Sequence, residues 1–461
     1  MTMNIFPRTF WMARERTRKN ADRKLSRSFA SFAGSKNVRG AVLIVVLWAS
    51  LGLVSVALLF GHSMLMSYRG SDNDLAGRQA EQAIEGAARY AASLLTNSTT
   101  PGVLPDTTTY ENDTVPVGEA TFWFIGRSLQ TDDGKTRTFG LVDEASKLNL
   151  NTATTAMLMN LPGMTSDLAA AIVIWHTLDA DTSSSSSPVK QAPFESIEEL
   201  ALVTGATREI LFGEDANMNG VLDANEDDGN TNLPADNADG KLDPGILEYV
   251  TVFSREPNKQ ADGTARINIA QPGTNYALEN LLHDKFGATR EVEILTRLGA
   301  APSRSALEFY VRSGMKADEF GKVVDALTVK TGTYLTGLIN VNTAGATVLA
   351  CVPGIGTDKA ATLISARQSR TVQDTNIAWV VDTLSPQGAV QAGPYLTGQS
   401  WQASADVAAV GRHGRGYRRT KFVIDTSTGA PRIIYRRNLA PLGWALGSTV
   451  RQNLALEKTT K

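Results

Sequence analysis

Twenty-one consecutive uncharged residues, Ala41 to Gly61 (AVLIVVLWASLGLVSVALLFG), constrain this chain more than any other feature. A helix rises about 1.5 Å per residue, so this run is long enough to cross a hydrocarbon layer of about 30 Å. Residues 1–40 carry ten Lys and Arg against Glu15 and Asp22. That bias predicts a cytoplasmic N-terminus and export of everything beyond about residue 62. A cleavable secretory signal has a shorter apolar core with its cut site behind it. Here the small-residue junction, Gly40–Ala41, stands in front of the apolar run.

The helical pattern continues past the apolar run. Ser71–Leu95 is rich in Ala, Gln, Glu and Arg, all good helix formers. Leu75, Ala76, Ala80, Ala83, Ile84, Ala87, Ala91 and Leu94 recur at spacings of three and four. They form one apolar stripe, and Asn97 to Gly102 ends the pattern. The expectation is a single N-terminal helix, apolar at first and amphipathic later.

Arg39-Gly40 followed by Ala41-Val42-Leu43-Ile44-Val45-Val46-Leu47-Trp48 resembles the type IV pilin and pseudopilin superfamily. The resemblance implies that a prepilin peptidase cuts between Gly40 and Ala41 and that the new N-terminus is methylated. Most members carry Glu as the fifth mature residue, where it pairs with a neighbouring N-terminus in the filament; here that position is Val45. The K-type minor pseudopilins of type II secretion systems characteristically lack this Glu. The resemblance therefore implies a place at the tip of a pseudopilus in the inner membrane, beside minor pseudopilins of the I and J types, with the bulk of the chain periplasmic.

About 365 residues follow the helix, enough for more than one core. Cys351 is the only cysteine, so no intrachain disulfide exists, and it reads as a small buried apolar residue. Residues 147–172 (KLNLNTATTAMLMNLPGMTSDLAAAI) and 338–364 (LINVNTAGATVLACVPGIGTDKAATLI) share Asn-x-Asn-Thr-Ala, an apolar helix pattern, Pro-Gly and a second, Ala-rich helix. The turns fall at Pro162-Gly163 and at Pro353-Gly354 with Gly356, and a degenerate further copy begins at Arg266. These repeats resemble the helix-hairpin-helix family. Strand patterns flank them: Val117–Gly126 and Thr136–Asp143 before, then Ala405–Val410, Arg419–Asp425 and Arg432–Arg436 after. The expected fold class is α+β. A long transmembrane helix precedes a pilin-like antiparallel sheet (98–145 and 396–447). The sheet is interrupted by a large α-helical insertion (146–395), whose repeats span 147–205 and 338–385, and a tail (448–461) follows. The Ser-rich stretch 182–187 reads as a loop.

The sharpest chemical motif is Asp215 to Glu226, which matches a twelve-residue calcium loop at every position. Asp215, Asn217 and Asn219 offer side-chain oxygens, Gly220 the tight turn, Val221 a carbonyl, Asp223 a further oxygen and Glu226 two. A helix over 195–212 is expected before it and none after it. A second, poorer copy holds Asp236, Asn237, Asp239 and Asp243. With Gly240 at the turn, its positions one and twelve fall on Ala235 and Ile246. The spacing leaves open whether this copy is a weaker site or a shared acidic loop. The expected cofactor is structural Ca²⁺.

Enzyme signals are absent: His62, His176, His283 and His413 are scattered, and no nucleotide loop or nucleophile elbow occurs. Repeats of this kind raise DNA uptake as an alternative function, with Gly354-Ile355-Gly356 and Lys359 facing phosphate. Acids outnumber Lys and Arg over 146–395, which disfavours nucleic acid. Residues 396–461 are basic, with eleven Lys and Arg against three acids.

Overall fold

The computed structural model describes residues 41–98, 100–127, 134–178, 189–229, 231–271, 275–370 and 375–457. The leader with Gly40, and the Ser-rich stretch, lie outside them. The first helix, α1 (Ala41–Thr96), is the one element among the described residues long and apolar enough to cross a membrane. The chain divides at residue 72 into two units. In the first, the apolar side chains from Val42 to Tyr68 are exposed, Val45 included.

In the second unit, α1 buries Ala76, Ala80, Ala83, Ile84, Ala87, Ala88, Ala91 and Leu95. This is the predicted stripe with Ala88 and Leu95 added and with Leu75 and Leu94 left outside it. It packs on an antiparallel sheet whose strands are β1 (Val115–Val117), β2 (Ala120–Phe124), β3 (Val142–Asp143), β4 (Gln402–Gly411), β5 (Arg415–Asp425) and β6 (Arg432–Asn438). Their order is β1-β2-β4-β5-β6, and β3 also pairs with β4. Side chains alternate across a strand. Ala403, Ala405, Val407 and Ala409 of β4 and Phe422 and Ile424 of β5 therefore meet the helix. The small residues of β4 let α1 lie close to the sheet. Gly411 and Gly416 bring the β4–β5 hairpin against Ala76 and Gly77, where an added Cβ would sit 2.1 Å from the Ala76 carbonyl and 2.3 Å from the Gly77 amide.

Several strand expectations need correction. Val117–Gly126 is a hairpin with Gly118 at φ +62°, and its strand covers only Ala120–Phe124. Of Thr136–Asp143 only the last two residues are extended in the sheet, with Phe139 forming a lone bridge to Ile125. β4 and β5 start before their patterns, because Gln402 and Ser404, buried on the face away from α1, hide the alternation of β4, and Arg415, Gly416 and Arg418 hide that of β5.

Residues 144–397 hold mostly short helices and strands of two or three residues around a separate core. One local device recurs three times. Leu148–Asn149 pairs in parallel with Val250–Thr251, Ile267–Asn268 with Leu327–Thr328, and Ile339–Asn340 with Leu396–Thr397. In each case the Asn Oδ1 accepts the amide two residues on, at 2.9, 2.9 and 3.0 Å. The Thr hydroxyl does the same for Phe253, Lys330 and Gln399, at 3.1, 3.3 and 3.1 Å. A short polar side chain that bonds its own backbone stops a strand after two residues, and the chain then runs into a helix after each Asn and into a further strand after each Thr. The copy beginning at Arg266 thus shares this geometry. Its helix, Tyr276–Leu298, breaks at Gly287 (φ +77°), where the other copies carry Pro-Gly.

Asp143, at the end of β3, ties the sheet to the third copy. Its buried carboxylate accepts hydrogen bonds from the Ala145 amide, Asn340 Nδ2, Thr343 Oγ1 and Ser400 Oγ.

Candidate functional site: paired acidic loops between the sheet and the helical segment

The expected helix over 195–212 is broken in two, Ile197–Leu202 and Arg208–Phe212, by a turn with Gly205 at φ +88°. The second piece ends at Gly213, and the acidic loop begins. Asp215 is buried and accepts the amides of Asn219 at 2.9 Å and Gly220 at 2.8 Å. Glu226, eleven residues on, closes the loop by accepting the amides of Ala216 at 3.1 Å and Asp223 at 3.0 Å. Val221 donates its amide to Asn219 Oδ1 at 2.8 Å. Met218 (φ +54°) and Gly220 (φ +71°) supply the two left-handed residues that curl the chain. The sequence-predicted residues Asp215, Asn217, Asn219, Val221, Asp223 and Glu226 thus share one tight loop.

The loop's polarity is unbalanced towards acceptors. The side-chain amides of Asn217 and Asn219 both donate to Asp223 Oδ2, at 2.8 and 2.9 Å. Two NH₂ groups thereby converge on a carboxylate where a cation could stand. Asn217 is 9 % exposed and its buried Oδ1 has no partner among the described residues. Burial pushes Glu226 up to about 8, with Asp215 and Asp223 adding to the shift. Burial likewise raises Asp215. A hard cation would relieve all of these at once, and side-chain and backbone oxygens are the donors Ca²⁺ takes. In this conformation the carboxylates are turned onto backbone amides. Among the described residues, no group of three or more His, Cys, Asp or Glu forms a ready metal centre.

The second loop repeats the first. Ala238 (φ +52°) and Gly240 (φ +73°) match Met218 and Gly220. Asn237 Nδ2 donates to Asp243 Oδ2 at 3.1 Å, as Asn217 does to Asp223. Asp239 Oδ1 accepts the Lys241 amide at 2.9 Å, as Asn219 does that of Val221. The acids missing at Ala235 and Ile246 come from elsewhere. Asp227 accepts the Gly240 amide at 3.0 Å, as Asp215 does that of Gly220. Glu214 accepts the amides of Asn237 at 3.1 Å and Asp243 at 3.2 Å, and burial raises its pKa. Asp236 serves outside the loop's centre, accepting the amides of Asp228, Gly229 and Ala238. The residues immediately before and after the first loop therefore complete the second. The sequence reading missed both, because it sought ligands inside one twelve-residue window.

Two arginines fasten the first loop to the sheet. Arg419 of β5 is fully buried and holds Asp406 of β4 at 2.9 and 2.6 Å. The same guanidinium donates to the carbonyls of Asn217 and of Met218, the latter at 2.7 Å. Arg127, just after β2, holds Glu248 at 2.6 and 3.1 Å and donates to the Met218 carbonyl at 3.0 Å. Burial opposes the charge on Glu248, but Arg127 holds its pKa down to about 2. Asn217 and Asn219 also donate to the carbonyls of Trp444 and Ala445, each at 3.3 Å. Neither arginine is distinguished in the sequence: Arg127 follows an apolar strand, and Arg419 stands among Arg415, Arg418 and Lys421.

The hairpin turns lie apart from these loops. Pro162-Gly163 (φ +65°) joins Thr155–Leu158 to Ser166–His176, with open space at Gly163. Pro353-Gly354 (φ +87°), with Gly356 (φ +67°), joins Ala346–Ala350 to Gly356–Gln368. A Cβ on Gly354 would lie 2.7 Å from the Gly388 carbonyl. The third-copy turn is therefore packed at Gly354 on the chain's own helix Trp379–Ala392. Cys351 is buried, and burial pushes its thiol up to about 12.

No known protein family matches this sequence, and no curated protein does. Among solved structures it is similar to one described as the GspK-GspI-GspJ complex from the enterotoxigenic Escherichia coli Type 2 Secretion System. The identity is 12 %, the match covers 81 % of this chain and 99 % of that one, and the TM-score is 0.33. A TM-score that low does not establish a common fold. The chain in hand is an α+β protein with one long apolar N-terminal helix and an antiparallel sheet.

Proposed function

We propose that this chain is a minor pseudopilin of the K type, acting at the tip of a type II secretion pseudopilus. One observation carries the reading: the helix that begins with the apolar run at Ala41 continues to Thr96, and its Ala stripe is buried on an antiparallel sheet. Val45 in place of the usual Glu leaves no acid to pair with the amine of a subunit above, which suits the terminal position. The helical segment 144–397 is too bulky to be stacked on both sides, which favours the same place. At the tip the protein would prime assembly with I- and J-type partners and help move folded proteins through the outer membrane. It has no chemical step to perform in that role.

In this reading the paired loops bind Ca²⁺. Asp215, Asn217, Asn219, Val221, Asp223 and Glu226 would hold one ion; Asn237, Asp239 and Asp243, with Glu214 and Asp227, would hold a second. The ions would neutralise a cluster of acids that otherwise repel one another, in a chain with no disulfide. Because Arg419 and Arg127 bind the same loop, cation binding would also stiffen the docking of the helical segment on the sheet.

Co-expression of the full chain with I- and J-type pseudopilins, followed by detergent solubilisation and affinity capture, tests the assignment. Co-purification of both partners is expected. Capture of the chain alone at all calcium concentrations would contradict it.

A further inference from the structure

We propose that the outer edge of β6 accepts an added strand from an acidic partner protein. The sheet's two edges differ. β1 is three residues long and carries Pro116, which has no amide to donate, so that edge is blunted. β6 runs for seven residues without proline and pairs only with β5 among the described residues. Its Ile433 and Ile434 are 49 % and 41 % exposed.

The ladder's phase is set by the Leu439 amide, which donates to the Arg419 carbonyl at 2.9 Å. In an antiparallel pair, alternate residues send their amide and carbonyl away from the partner. With Thr420 opposite Asn438 and Phe422 opposite Arg436, the outward residues are Arg436 and Asn438. Neither of their amides has a partner among the described residues. A register shift around Ile434 confines the regular ladder to Tyr435–Asn438, so the added strand is short.

Charge selects the occupant. Residues 426–438 contain three arginines and no acid. Arg437 turns to Glu198, while Arg436 reaches Glu85 and stays 57 % exposed. Arg432 is exposed and has no partner among the described residues, because the Asp425 opposite it is taken by Arg255. A second copy pairing edge to edge through Tyr435–Asn438 would bring Arg436 against Arg436 or Arg437 against Arg437, which is unfavourable. A short strand on Tyr435–Asn438 that carries β-branched residues and Glu or Asp past the register shift meets the exposed isoleucines and Arg432 beside it. This inference is independent of the pilin-like assignment.

The test uses the full chain in detergent micelles and a fluorescent peptide alternating Val and Glu, with a Lys-for-Glu control, read by anisotropy. The Glu peptide is expected to bind at least about tenfold tighter than the Lys peptide, a difference of about 1.4 kcal/mol. Methylating alternate peptide amides should abolish binding, and Arg432→Glu, at an exposed site, should reverse the preference. Equal binding by the methylated peptide would reduce the contact to charge attraction and overturn the proposal, as would no binding of either peptide. Sedimentation of the wild-type chain as a dimer that Ile433→Lys returns to monomer would assign the edge to a second copy and also overturn it.

Discussion

Glu214 and Asp215 are neighbours in the chain yet close different loops. Asp215 accepts the amides of Asn219 and Gly220 in the first, and Glu214 accepts those of Asn237 and Asp243 in the second. Glu226 and Asp227 divide in the same way. The two loops therefore share both their walls, and ordering one orders half of the other's acceptors. This is a compact way to hold many acids together without disulfides, provided cations are at hand.

Calcium should stabilise the folded chain strongly. A ligand at one hundred times its Kd adds about 2.7 kcal/mol per site. Thermal unfolding is expected to shift upwards by several degrees on replacing chelator with calcium. Glu226→Gln, which removes the closing carboxylate, should erase most of the shift. An unchanged midpoint in saturating calcium would remove the metal from the account.

Stoichiometry separates the loops. Calorimetric titration of the wild-type chain should give two equivalents of calcium. The double substitution Glu214→Gln with Asp227→Asn should leave about one, because it removes acids serving only the second loop. Two equivalents retained would place the second ion elsewhere.

Glu226 makes stability depend on pH with a definite sign. Its folded value, about 8, lies above its ordinary 4.5. The cation-free folded state therefore holds the proton more tightly than the unfolded one. That contribution is complete below pH about 4.5 and is lost as pH rises through about 8. In chelator, urea unfolding should show stability falling across that window, and Glu226→Gln should flatten the fall. In saturating calcium the slope should reverse, since the ion displaces the proton.

Arg419 should be among the costliest side chains to remove. Arg419→Met leaves Asp406 buried and unpaired and the Asn217 carbonyl without its arginine donor, while the Met218 carbonyl keeps Arg127. Breaking a buried pair this way costs about 3–5 kcal/mol. Denaturant unfolding should report a loss of that size, and Asp406→Ala in the same background should recover part of it. A loss below about 1 kcal/mol would mean that the loop is held by other contacts.

The legible parts of this protein are those with a local code. The apolar run, the Ala stripe on α1 and the Asp215–Glu226 spacing are periodic patterns whose residues stay close in the chain. The Asn and Thr turns were legible in part, since Asn149 and Asn340 sit in an obvious repeat while Asn268 sits in a degraded one. What was hidden is non-local. Glu214 and Asp227 lie outside the second loop's window, and only the folded chain brings them to it. Arg419 and Gln402 look misplaced in their strands until the acidic loop and Arg255 are seen against them. The long helix expected over 195–212 failed because Gly205 divides it into two shorter pieces.

The assignment to the pilin-like pathway turns on one junction. The mass and N-terminal sequence of the chain recovered from membranes, with and without prepilin peptidase, test it most directly. The expected result is a chain beginning at methylated Ala41 that appears only when the peptidase is present. A chain that keeps residues 1–40 in the presence of active peptidase would contradict the account.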